Sequence, residues 1–236
     1  MRARTVAANA ARATGWALAL GGGAYAASTV LTWIRYGRLD EADPEERDPL
    51  LDPFMPRYDV VDRMRMAVNA PAEVTLAAAE HQDLMHAPGV NAIFGLRQLA
   101  MGGSAETRRL PTPLIEQVKA LGWVELARVP GREVAMGAVA QPWQGDVTFR
   151  GVPPQAFASF DEPGYVKIAW TLRADPVGPD RSVFRTETRA VATDPASRAR
   201  FRTYWAFVAP GVWLIRRLSR GPMRRAAEQQ QSAPGL

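Results

Sequence analysis

Alternation of apolar and polar positions marks out most of the chain's strands. Across residues 58–69 (YDVVDRMRMAVN), Tyr58, Val60, Met64, Met66 and Val68 share one side, and Asp59, Arg63, Arg65 and Asn69 the other. That period of two predicts a half-buried strand, interrupted only by Asp62. Pro71 then starts a helix predicted over 72–84, where AEVTLAAAEHQDL is rich in helix formers. A short helix is expected around 91–99, a glycine loop at Gly102-Gly103, and a helix over 113–121 that ends at Gly122. Residues 123–129 and 132–140 flank Pro130-Gly131 and read as a hairpin, with a short strand over 146–150. Val166, Ile168, Trp170 and Leu172 alternate with Lys167, Thr171 and Arg173. In 181–193, Phe184, Thr186, Thr188 and Ala190 alternate with Arg185, Glu187 and Arg189. The last element is helical: Asp194 is a good N-cap, Pro195 a good first residue, and Phe201, Trp205, Val208, Val212 and Ile215 recur at spacings of four and three. Pro210-Gly211 is expected to kink or break it.

The two ends differ from this body. Residues 14–34 carry no charge, and about 1.5 Å per residue makes them long enough for a bilayer core. Arginines flank the stretch, and Trp16 and Trp33 stand near its ends, so a single-pass N-terminal anchor over residues 1–38 is the expectation. A cleavable signal, with Ala24-Tyr25-Ala26 as its site, and a soluble or interfacial helix are the alternatives. Residues 39–57 hold Pro44, Pro49, Pro53 and Pro56 among many acids and read as a linker, which leaves 58–220 as the folded domain and 221–236 as a polar tail.

Charge refines that picture. The 236 residues carry 29 Lys+Arg against 24 Asp+Glu, a net +5, with 47% apolar residues. The excess is segregated: acids crowd residues 40–62, and from residue 195 onward arginines face Glu228 alone. The basic segment therefore suits a membrane surface better than nucleic acid, for which no binding motif is present. With no cysteine, thiolate metal sites and cysteine nucleophiles are excluded. His81 and His86 are five apart, off a common helical face, so no metal site is expected. No phosphate-loop, nucleophile-elbow or cofactor motif occurs.

The order strand, helix, irregular helical segment, antiparallel strands and long terminal helix resembles the helix-grip fold of the START/Bet v 1-like (SRPBCC) superfamily. YDVVDRMRMAVNAPAEVTLAAA looks like its opening strand and helix, and RSVFRTETRAVATD like its last strand running into the terminal helix. GYVKIAWTLRADP and FRTETRAVATDPASRARFRTYW are similar to an uncharacterised bacterial branch. The resemblance implies an α+β fold in which a curved antiparallel sheet wraps the long helix around an apolar cavity. It also implies a hydrophobic small molecule or lipid as partner, bound by a membrane-anchored, non-catalytic protein. Met64, Met66, Met136, Trp143, Phe149, Trp170 and Tyr204 are the candidate lining, because methionine and aromatic surfaces adapt to irregular apolar ligands. Arg185 and Glu187 are candidate polar contacts, against the simpler reading of solvated cross-strand pairs. Two alternatives stay open: a polyketide cyclase/aromatase-like enzyme using Glu187 or Tyr204 for proton transfer, and a membrane-assembly protein whose own side chains fill the cavity.

Overall fold

A computed structural model describes residues 21–39, 47–82 and 113–232. Helix α1 covers residues 21–35, followed by β1 (Val60–Val68) and α2 (Ala72–Glu80). Next come α3 (Leu114–Ala120), β2 (Val124–Val129), β3 (Glu133–Ala140) and the short α4 (Pro154–Phe157). The chain continues through β4 (Val166–Gly178) and β5 (Arg181–Ala192) to α5 (Pro195–Ser232). The strands form one antiparallel sheet in the order β1-β5-β4-β3-β2. A long C-terminal helix laid on an antiparallel sheet is the α+β, helix-grip architecture expected from the sequence.

Alternation decides the two faces. Met64, Met66, Val134, Met136, Trp170, Leu172 and Phe184 face α2, α3 and α5, where they meet Leu76, Leu114, Met223 and Ala227. The opposite face buries Ala135, Val139 and Ala169 with Leu126, Phe157, Leu51 and Met55. Strand β3 is thus buried on both sides along its whole length. Gly131, at φ +68°, makes the β2–β3 turn. Asp194 caps α5: its Oδ1 accepts from the Ala196 and Ser197 N–H groups, each at 2.9 Å, and its Oδ2 from Gly164 N–H at 2.7 Å.

Four expectations need correction. Among the described residues no helix is long and apolar enough to cross a membrane, which overturns the single-pass anchor. Glycine, serine and threonine dilute the apolar stretch, and α1 packs beside α5 instead. Arg202 donates to the Trp33 carbonyl at 2.9–3.0 Å with its guanidinium 4.4 Å from the centre of that ring, while Tyr36 meets Phe201 edge to face. The part of the stretch before residue 21, including Trp16, lies outside the described residues.

Second, residues 47–57 of the expected linker are no free linker, and residues 40–46 of it lie outside the described residues. Leu51 and Met55 are fully buried against the sheet, and their turn is fixed by Leu51 N–H and Asp52 N–H on the Asp48 carbonyl. Third, of the kink or break expected at Pro210-Gly211, the break does not occur: the terminal helix runs through both Pro210 and Pro222. Burial of Ala206, Ala209, Met223 and Ala227 along it works against the proline cost, about 3 kcal/mol at each of the two positions. For the same reason residues 221–232 are part of the core-forming helix instead of a polar tail. Fourth, the strand expected over 146–150 is reduced to a single bridge between Val139 and Arg150. The helix expected around 91–99, the loop at Gly102-Gly103 and His86 lie outside the described residues.

Candidate functional site

The helix-facing side of the sheet gathers much of the expected apolar lining. Met64 and Met66 come from β1, Met136 from β3 and Trp170 from β4, all packed in one cluster. Met136 is wholly buried, whereas Met64, Met66 and Trp170 are only half-buried. Trp170 lies 6.0 Å from Trp123, which lies 5.1 Å from Phe149, so Phe149 joins the group through a chain of rings. Gly122 (φ +100°) makes this approach possible, since a Cβ there would stand 2.2 Å from the Phe149 carbonyl oxygen. Trp143 and Tyr204 belong elsewhere: they pack with Phe201, Ile168 and Val60, with the Phe201 and Tyr204 rings 6.1 Å apart.

One polar group is built into this interface. Asp62, the interruption in the β1 alternation, meets Arg216 of α5 at 2.8 Å, and Arg216 also donates to the Thr188 hydroxyl of β5. Burial pushes the Asp62 carboxyl above its ordinary range, and the Arg216 charge opposes that rise. The helix thus brings a guanidinium to the apolar side of the sheet, where its two partners are already in place.

Arg185 and Glu187 lie on the other face, away from α5. Register sets Glu187 opposite Arg63 and Arg185 opposite both Arg65 and Arg173. Glu187 accepts from Arg63 Nε at 3.0 Å and from Arg189 Nε at 2.5 Å, with only 5% of its side chain exposed. The pairs expected to be solvated are therefore buried, because residues 47–58 fold over them: Arg189 also donates to the Met55 carbonyl at 2.8 Å and meets Asp52 at 2.7 Å. Beside this network is a cavity of about 120 Å³, whose lining includes Arg47, Asp48, Arg63, Arg173, Arg185 and Glu187.

Sequence reasoning did not single out Asp48, Glu133 or Asp175. Asp48 accepts from the Thr171 hydroxyl at 2.8 Å and from Leu51 N–H at 2.9 Å. Burial, reinforced by the neighbouring Asp48 carboxylate, pushes the Glu133 carboxyl up to about 8. Asp175 meets Arg132, Arg173 and Arg185 at 2.8–2.9 Å. The one available signal was Glu133 itself, a lone acid opening the apolar run EVAMGAVA. Among the described residues no cluster of three or more metal-ligating side chains occurs.

No family model matches the chain, and no curated protein matches it. Among solved structures, a norcoclaurine synthase point mutant from Thalictrum flavum, in complex with a transition-state analogue, is similar at 13% identity and a TM-score of 0.33, over 73% of this chain and 96% of that one. The same plant's enzyme in complex with dopamine and hydroxybenzaldehyde gives 13% identity and a TM-score of 0.30, over 75% and 89%. The Zhui aromatase/cyclase of a Streptomyces species gives 10% and 0.24, over 75% and 99%.

Proposed function

We propose that the apolar, helix-facing side of the sheet binds a hydrophobic small molecule or lipid without changing it chemically. The observation that carries this reading is the contrast on one sheet face. Val134, Met136 and Ala138 are fully buried, while Met64, Met66 and Trp170 beside them keep accessible apolar surface. Methionine and tryptophan supply adaptable and rigid apolar contact respectively. Covering such surface with ligand stabilises a complex by roughly 25 cal/mol per Å² before ordering costs. The Arg216–Asp62–Thr188 group supplies a polar end in the same interface.

Native mass spectrometry of gently purified protein, paired with thermal melts against fatty acids and polycyclic aromatics, tests this. An apolar adduct, or a melting temperature that rises with ligand concentration, is expected. No adduct and no shift across the panel would overturn the reading.

Cyclase-type chemistry is the second reading, and one feature favours it. A proton-transfer group is needed on the helix-facing side, and Glu187 is on the wrong face. Asp62 is on the right one, with its proton retained more tightly than usual by burial. Turnover of a poly-β-ketone substrate that disappears in Asp62→Asn would support this reading over simple binding.

A further inference from the structure

Three arginines stand in a row across the sheet face that points away from α5. Arg65 of β1 is in register with Arg185 of β5, and Arg185 with Arg173 of β4. Directly opposed residues place their Cβ atoms about 4.5–5.5 Å apart, and like charges so placed repel. Asp175 answers part of this charge, but it is one carboxylate shared by Arg132, Arg173 and Arg185. The two acids on the cavity wall already have partners of their own. Glu187 is held between Arg63 and Arg189, and Asp48 accepts from Thr171 and Leu51. Arg47 comes down from the covering segment to complete a wall of five arginines, Arg47, Arg63, Arg65, Arg173 and Arg185.

Size and chemistry then narrow the occupant. A volume of about 120 Å³ is well below the roughly 300–1,000 Å³ of sites for drug-sized ligands. Guanidinium is a planar fork that grips oxyanions through two parallel donors; Arg173 and Arg185 each engage Asp175 through Nε, and Arg173 Nη1 also donates to the Arg47 carbonyl at 3.3 Å. We infer that this cavity is a binding site for a compact phosphate-type oxyanion, free in solution or carried as the terminal group of a larger molecule. Met64 and Thr186 also border this cavity, but the arginine row lies on the sheet face opposite the apolar cluster and its probes are anions, so failure of one reading leaves the other standing.

Calorimetric titration of the full chain with inorganic phosphate, against sodium chloride at equal ionic strength, tests the free anion. Flotation with phosphatidylcholine vesicles containing phosphatidic acid tests the lipid-borne group. Saturable binding of at least one probe is expected, weakened by about tenfold or more in Arg185→Gln, which removes the centre of the row. Arg47→Gln, at an exposed position, gives the same readout should Arg185→Gln not fold. Phosphate binding without flotation assigns the site to a free anion, and variant-sensitive flotation assigns it to a lipid phosphate. Neither probe binding above its control, or binding unchanged in a folded variant, would overturn the proposal.

Discussion

Arg189 and Glu187, two residues apart on β5, form an ion pair at 2.5 Å with 2% and 5% of their side chains exposed. A pair on one strand ordinarily points into solvent or into a core. Here residues 47–58 close over it, and Arg63 grips the same carboxylate from β1 at 3.0 Å. The Tyr58 ring, 4.7 Å from the Arg189 guanidinium, completes the cover.

Glu187→Gln should therefore destabilise strongly, because it leaves two guanidiniums without their shared counter-charge. Breaking a buried pair costs about 3–5 kcal/mol, measurable as a fall in the urea midpoint at constant slope. A change of under about 1 kcal/mol, the usual value of an exposed pair, would show that the network is solvated.

Met55→Ala and Leu51→Ala test the covering segment. Both side chains are fully buried, so each truncation should cost about 2–5 kcal/mol. Protease cleavage within residues 47–58 should also accelerate. Near-neutral effects would return this segment to the status of a loose linker.

Glu133 gives a pH signature. Its folded-state value, about 8, lies above its ordinary 4.5, so the folded chain holds a proton that the unfolded chain releases between these limits. Its contribution to stability is complete below about pH 4.5 and is lost as pH rises through about 8. Melts between pH 5 and pH 9 should show a decline of a few kcal/mol that Glu133→Gln removes. Equal slopes in both proteins would refute the assignment.

The strands were legible because each needs one apolar face, and period two announces it. Asp194 was legible as a cap because Asp at that place has one strong local use. Asp62 looked like a flaw in β1 because its partner, Arg216, is 154 residues away on another element. The row Arg65–Arg185–Arg173 was equally hidden, since it depends on register and not on spacing along any one strand. The covering segment escaped notice because Leu51 and Met55 sit among prolines and acids with no sustained period. In α1, length and flanking aromatics suggested a membrane span, but the glycines and hydroxyl side chains leave too little apolar surface, and the helix lies against α5.

Ligand burial on the apolar, helix-facing side of the sheet is the central claim, and fluorescence titration with the neutral probe N-phenyl-1-naphthylamine tests it most directly. Saturable binding is expected, weakened by about tenfold or more in Met64→Glu, which places a charge in the apolar space, and unchanged in Arg185→Gln. No saturable signal, or a signal indifferent to Met64→Glu, would contradict it.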